Sequence, residues 1–208
     1  IFLLYVWLKL VDTYVGLILL YTAFNLPYVI WMMRGYILDI PKALEESALV
    51  DGCTFYIHCG HDEGPNGFVL KEWFVLSSTN MVDWKKQVAM RVSDFKWADV
   101  NAWAGQVVKK DGKYYWFVPV NERGGGMAIG VAVSDSPLGP FKDAIGKPLI
   151  NDAFEMQNAG FRTPSDTPFT IDPTVFVDDD GQAYLHYGGF SRMMVAKLNS
   201  DMISIDGF

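Results

Sequence analysis

The pattern of hydrophobic and polar positions divides the chain into two unlike parts. Residues 1–38 are almost entirely apolar, whereas residues 54–208 alternate apolar and polar residues between Asp-Gly and Gly-rich turns. A continuous apolar run is typical of a helix in a membrane or a core, and alternation is typical of β-strands with one buried face. We therefore predict two domains, 1–53 and 54–208, which meet near Val50–Thr54.

The first part contains an apolar run that is long enough to cross a bilayer. Tyr14–Met33 holds no charged residue, and a helical span takes about 20 residues. Arg34 and Lys42 follow this run, which places its C-terminal end on the cytoplasmic side by the positive-inside rule. The pattern predicts a transmembrane helix of the inner-membrane type, with a buried core helix as the alternative.

A short strand pattern occurs three times in the second part. The copies are FYIHCG at 55–60, YYWFVP at 114–119 and AYLHYG at 183–188. Asp111-Gly112 and Asp180-Gly181 stand just before the second and third copies, and Asp-Gly between alternating runs is a hairpin signal. Repeated hairpins with little helical periodicity predict an all-β fold made of propeller blades. An irregular β-sandwich is the alternative.

The net charge and the cysteines narrow the possible functions. The formal net charge is −7 and the pI is near 4.9, which argues against nucleic acid as a partner and suits a neutral ligand such as a sugar. Cys53 and Cys59 are too few for a disulfide framework and lack the spacing of a metal site. We expect two reduced thiols in a cytosolic protein.

Four strings in the second part carry a family resemblance. They are HDEGPNGFVLKEWFVLSSTNMVDW, AWAGQVVKKDGKYYWFVPV, GMAIGVAVSDSPLGPFKDAIGKPL and IDPTVFVDDDGQAYLHYGG. In this order they resemble glycoside hydrolase family 43, which includes β-xylosidases and α-L-arabinofuranosidases on a five-bladed β-propeller. The resemblance implies that residues 54–208 form about three blades of a partial propeller. It also implies xylo- or arabino-oligosaccharides as substrates, inversion of configuration and no cofactor.

The resemblance also implies a catalytic role for Asp172. The family uses a base, an acid and a third carboxylate, whose negative charge keeps the pKa of the acid raised. Asp172 in IDPTVF corresponds to this third carboxylate, although an ordinary Asp-Pro turn before a strand is the alternative. The base Asp is expected before Phe55, where the apolar part stands instead, and the acid Glu beyond Phe208. We therefore expect residues 1–208 alone to be inactive.

Four further residues are candidates for contacts with the sugar. Trp103 in AWAGQV matches a family string whose Trp lines the pocket, and a place in the core is an equal alternative. Gln106 is a weaker candidate for a hydroxyl contact. His61 and Asp62 follow the first inner strand, where the pocket of the family begins, and a structural hydrogen-bonded pair is an equal alternative. No metal is predicted, because Asp178–Asp180 fit a solvated hairpin tip better than a calcium site.

A second resemblance covers the end of the first part. IPKALEESALVDG at 40–52, after the apolar run, resembles the "EAA loop" of sugar-type ABC transporter permeases. The resemblance implies that Glu46 and Gly52 belong to a helix that docks on a cytoplasmic ATPase subunit. Two families in one chain predict a chimera joined at the Val50-Asp51-Gly52 string that both share, through a deletion or an assembly error.

Three functions follow from these patterns. The first is a glycosidase acting on xylan or arabinan oligosaccharides, with residues 54–208 in the cytoplasm. The second is the membrane permease component of a carbohydrate ABC importer. The third is a carbohydrate-binding remnant that holds sugar through Trp103 without cutting it. Turnover of an aryl pentoside separates the first from the third, and binding of an ATPase partner through Glu46 and Gly52 would support the second.

Overall fold

The chain folds as two compact units, Ile1–Cys53 and Thr54–Phe208. The computed structural model describes residues 2–39, 54–60, 69–161, 169–189 and 192–208. The predicted docking helix with Glu46 and Gly52 lies outside the described residues, as do His61 and Asp62.

Two helices are described in the first unit, α1 at Phe2–Trp7 and α2 at Tyr14–Asp39. Thr13 precedes α2, and its Oγ1 accepts a hydrogen bond from the Gly16 backbone N–H at 3.0 Å, which caps the start of the helix. Among the described residues, no helix is both long and apolar enough to cross a membrane. The predicted transmembrane segment at Tyr14–Met33 is therefore not supported.

The described part of the second unit is built mainly from thirteen strands. Their bounds are β1 Phe55–Cys59, β2 Glu72–Ser78, β3 Lys85–Arg91, β4 Ala98–Val100, β5 Gln106–Lys110, β6 Lys113–Glu122, β7 Met127–Ser134, β8 Lys142–Asp143, β9 Ile150–Asn151, β10 Thr174–Val177, β11 Ala183–Tyr187, β12 Met194–Leu198 and β13 Ile205–Gly207. A single turn of 3₁₀-helix follows β3 at Val92–Asp94. The all-β prediction is confirmed for this unit.

The strands form three antiparallel sheets that follow one another along the chain. The first sheet has the order β1-β2-β3, and the third has the order β10-β11-β12-β13. The second has the order β4-β6-β7-β8, with β5 also paired to β6 and β9 to β7. The three repeated strings fall in β1, β6 and β11, as the alternation predicts. Asp111 and Gly112 join β5 to β6 with φ of 51° and 79°, the positive values that a tight hairpin needs.

The second sheet is buried on both of its faces. Side chains alternate along β6, so that Trp116 and Val118 enter one core while Phe117 enters another. The first core also contains Trp73 of the first sheet, and the second contains Leu185 of the third. Each sheet therefore packs face to face with the next, as neighbouring propeller blades do.

One short helix, α3 at Asp152–Asn158, was not predicted from the sequence. Asn151 caps it, because its Oδ1 accepts a hydrogen bond from the Phe154 N–H at 2.9 Å. A helix of seven residues is too short to show helical periodicity, which needs a window of about 11–18 residues.

Candidate functional site

Strands β5 and β10 lie side by side and run in the same direction. At the start of β5, Gln106 accepts a hydrogen bond from the backbone N–H of Val175 in β10. At the end of β5, Lys110 Nζ donates to the carbonyl of Gly181, just after β10, at 2.9 Å. Both strands therefore start at the same edge of the two sheets.

Asp172 stands at this edge, two residues before β10, and is exposed. Its φ is 53°, a left-handed value that is uncommon for residues other than Gly, and the residue before a proline normally prefers extended backbone. The structure therefore differs from an ordinary extended Asp-Pro start of a strand. Backbone strain of this kind persists where the surroundings hold it, often at functional sites.

The backbone on the N-terminal side of Asp172 is bonded to Gly188, the residue that follows β11. The Ile171 carbonyl accepts a hydrogen bond from the Gly188 N–H at 2.9 Å. Gly188 has a φ of 125°, and a Cβ added there would stand 2.3 Å from the Arg192 carbonyl oxygen. Only glycine fits this position, so the segment that presents Asp172 is closely constrained.

The loop before β5 brings Trp103 to the same edge. The Trp103 carbonyl accepts a hydrogen bond from Trp73 Nε1 at 2.8 Å, and its N–H donates to the Pro119 carbonyl at 3.3 Å. The loop then passes so close to β6 that a Cβ on Gly105 would lie 2.2 Å from the Phe117 carbonyl oxygen. Trp103 is half-buried and packs against the first core. Its indole Nε1 is buried and has no hydrogen-bond partner among the described residues, so at least this side of the ring belongs to the core.

Gln106 already has a partner within the protein. Its Oε1 accepts from Val175, so a contact with a sugar would have to come from the amide NH2 group. The predicted contact of Gln106 with a sugar hydroxyl stays a prediction.

The aspartates of the β10–β11 hairpin cap their own turn. The Asp179 N–H donates to Asp178 Oδ1 and the Gln182 N–H donates to Asp180 Oδ1, both at 2.8 Å. Within the described ranges, no group of three or more His, Cys, Asp or Glu is placed to hold a metal ion. A calcium site at this tip is therefore not supported.

A buried acid that the sequence did not reveal lies in α3. Glu155 is fully buried, and its Oε1 accepts a hydrogen bond from the Tyr187 hydroxyl at 2.5 Å. Burial raises the pKa of Glu155 to about 7, with a smaller contribution in the same direction from Asp152 and an opposing one from the Tyr187 hydrogen bond. Burial, together with Glu155, also raises the pKa of Tyr187 above its usual range. Glu155 therefore keeps its proton to higher pH than an ordinary glutamate does.

His58 is a structural histidine within β1. Its Nε2 lies 2.7 Å from the Pro137 carbonyl, and its ring meets Trp116 edge-on with centroids 5.0 Å apart. Burial lowers the pKa of His58, and the hydrogen bond to Pro137 opposes this shift. The residue therefore links the first sheet to the segment that follows β7.

One protein family matches most of the chain. The sequence model of this family, Glycosyl hydrolases family 43, matches residues 42–207. The match confirms the resemblance read from the four strings, and it begins ahead of the predicted domain boundary at residue 54.

Individual relatives and solved structures agree with the family match. The chain is 39% identical over 176 residues to an arabinoxylan arabinofuranohydrolase of Bacillus subtilis, covering 74% of this chain and 32% of that protein. An α-L-arabinofuranosidase from Clostridium thermocellum shares the fold with a TM-score of 0.59 and 35% identity, over 74% of this chain and 50% of that one. A family 43 enzyme from Xanthomonas citri, solved with xylotriose, gives a TM-score of 0.60 and 26% identity, over 75% of this chain and 50% of that one.

The chain spans only part of the proteins it resembles. It covers 26%, 32% and 39% of the length of three curated relatives and about half of the solved structures above. A separate similarity is to YurM, a probable ABC transporter permease of Bacillus subtilis. The two chains are 49% identical over 49 residues, which cover 24% of this chain and 16% of that protein.

Proposed function

Because the chain belongs to glycosyl hydrolases family 43, we propose that residues 54–208 form the sugar-facing part of a glycosidase. The substrates are the terminal xylosyl or arabinosyl residues of plant-polysaccharide oligosaccharides, which are hydrolysed with inversion. The observation that carries the proposal is the constrained, exposed carboxylate of Asp172 at the edge where β5 and β10 both start. The relatives include an arabinoxylan arabinofuranohydrolase and a β-xylosidase, which supports this substrate class.

Asp172 is the pKa-modulating carboxylate in this proposal. Inversion requires an acid that protonates the leaving oxygen and a base that activates water on the opposite face of the sugar. A third carboxylate near the acid keeps that acid protonated through like-charge repulsion. A fixed backbone suits this role, since the repulsion depends on the distance between the two carboxylates.

The remaining sugar contacts are proposed from the sequence. Trp103, which is half-buried, is proposed to offer an apolar ring face to a pyranose or furanose ring, as aromatic side chains offer such faces elsewhere. His61 and Asp62 belong to the segment after β1 and stay proposed sugar contacts. The three sheets are proposed to be three neighbouring blades of a five-bladed propeller, with β5 and β10 as inner strands of the second and third blades.

The proposal is tested with a hybrid enzyme. Residues 54–208 replace the matching segment of the Clostridium thermocellum arabinofuranosidase, which supplies the rest of the propeller. We expect the hybrid to hydrolyse an aryl β-xyloside or an aryl α-L-arabinofuranoside, because the transplanted segment contributes its own part of the sugar site. The measurement is kcat/KM on both substrates, with the parent enzyme as the control.

Circular dichroism shows whether the hybrid is folded. A folded hybrid that cleaves neither substrate contradicts the proposed glycosidase role. If such a hybrid still binds xylotriose, the carbohydrate-binding alternative replaces it.

The first unit has a different proposed origin. We propose that residues 1–53 derive from a sugar-type ABC permease, with Glu46 and Gly52 in its ATPase-docking helix. The permease similarity supports this, since its 49 residues are close in length to the unit Ile1–Cys53. A chimeric origin of the chain and a cytoplasmic location for residues 54–208 stay predictions from the sequence.

A further inference from the structure

The start of β10 has an N–H group that β11 does not bond. Val175 lies opposite Leu185 in the antiparallel pair of β10 and β11. The Val175 N–H donates a hydrogen bond to Oε1 of Gln106, in the neighbouring sheet. Successive N–H groups of a strand point to opposite edges, so one set of them needs a partner other than β11. Val175 is 5% exposed, and a buried N–H without a partner is costly. Gln106 therefore supplies the hydrogen-bond acceptor that the N–H groups on this side of β10 need.

The hydrogen bonds on the two sides of Asp172 have partners in different parts of the fold. On one side, the Ile171 carbonyl accepts from the N–H of Gly188, the residue that follows β11. On the other side, the Val175 N–H donates to Gln106, which belongs to the second sheet. Pro173, between these two points, is buried. A left-handed residue that is not glycine needs such support from both sides to stay in place.

We propose that Gln106 is a positioning residue that fixes the conformation of Asp172 through Val175. The inference rests on the proposed function, in which Asp172 acts on the acid. It gives Gln106 a role different from the direct sugar contact suggested by the sequence. It also makes the conformation of one blade depend on a side chain of its neighbour, 69 residues earlier in the chain.

The test uses backbone-assigned NMR of the full 208-residue chain, in mild detergent, with the variants Gln106→Leu and Gln106→Glu. Leucine is similar in size and has no acceptor, whereas the glutamate carboxylate accepts the same hydrogen bond. In Gln106→Leu we expect the Val175 amide to exchange with solvent at least about tenfold faster. We also expect the φ-dependent three-bond coupling and the Cα shift of Asp172 to leave their left-handed values. Gln106→Glu is expected to keep the exchange rate of the Val175 amide within about twofold of the parent chain. The coupling and the Cα shift of Asp172 are expected to keep their parent values.

Gln87→Leu is the matched control. Gln87 is exposed and donates to the Leu138 carbonyl at 2.8 Å, in another part of the fold, so its loss leaves Val175 and Asp172 unchanged. Because Gln106→Leu also removes the acceptor of a buried N–H, Gln106→Asn serves as a milder variant that shortens the reach by one methylene. Gln106→Asn is expected to speed amide exchange at Val175 and to shift the coupling and the Cα shift of Asp172 in the same directions as Gln106→Leu does.

The inference is overturned if Asp172 keeps its left-handed values in a folded Leu or Asn variant whose Val175 amide exchanges faster. Gln106 would then only complete the strand edge. Unchanged exchange of Val175 in Gln106→Leu overturns it as well. Neither readout uses a sugar. A parent chain that fails to bind xylotriose therefore counts against the proposed function, while the NMR result still decides the role of Gln106.

Discussion

Replacing Asp172 by Asn in the hybrid enzyme is expected to lower kcat/KM by roughly 100-fold or more, within the range of acid–base contributions. In its proposed role Asp172 places a negative charge near the acid, and loss of that charge would lower the pKa of the acid. An acid with a lower pKa is deprotonated over more of the neutral range. The alkaline limb of the pH profile of kcat/KM is therefore expected to move to lower pH, which a pH series of initial rates would measure.

The matched control for this variant is Asp178→Asn in the same hybrid. Asp178 is an exposed aspartate at the tip of the β10–β11 hairpin, beyond the other end of β10. Its replacement is expected to change kcat/KM by less than about twofold, since it lies away from the edge that holds Asp172. Equal pH profiles for Asp172→Asn and the parent hybrid would show that Asp172 does not modulate the acid.

Replacing Glu155 by Gln is expected to remove a pH dependence of stability. The pKa of Glu155 rises from 4.5 to about 7 on folding. Between these values the folded chain holds a proton that the unfolded chain has lost, so the free energy of unfolding falls as the pH rises. This contribution is fully present below about pH 4.5 and is lost by about pH 7. Its size is about 3 kcal/mol, at about 1.4 kcal/mol for each pKa unit.

The measurement is denaturant unfolding of the full chain, followed by tryptophan fluorescence, at several pH values from 4.5 to 8. Glutamine stays neutral and can still accept from the Tyr187 hydroxyl, so the variant should be more stable than the parent above pH 7. Glu72→Gln is the control. Glu72 pairs with the exposed Arg91 at 3.1 Å, and its loss should cost less than about 1 kcal/mol. If the free energy of unfolding of Glu155→Gln falls between pH 4.5 and 7 as much as that of the parent, Glu155 is not the group that causes this pH dependence.

The repeated strand pattern of the sequence predicted β1, β6 and β11 well, although the middle sheet, which contains β6, is buried on both faces. FYIHCG, YYWFVP and AYLHYG became β1, part of β6 and β11, and the Asp111-Gly112 turn formed as a tight hairpin. Both signals are local, so they can be read from neighbouring residues. The packing of the middle sheet against two cores follows from the same alternation along β6.

Features that depend on distant contacts could not be read in this way. The bond between Gln106 and Val175 joins residues 69 positions apart, and no local pattern indicates it. Glu155 lies in a short helix, and nothing in the neighbouring sequence indicates that its carboxyl accepts a hydrogen bond from Tyr187. Asp172 was found only through the family resemblance, since Asp-Pro before a strand is otherwise an ordinary turn signal. Its left-handed backbone became visible only in the structure.

The edge where β5 and β10 start is proposed to be the sugar-binding face of this chain. Titration of xylotriose into the full, isotope-labelled chain, followed by NMR, tests it most directly. We expect saturable shift changes at the Trp103 indole N–H and at the Asp172 amide, with none at the Asp178–Asp180 tip. The absence of any saturable change, or changes confined to the hairpin tip, would contradict the claim.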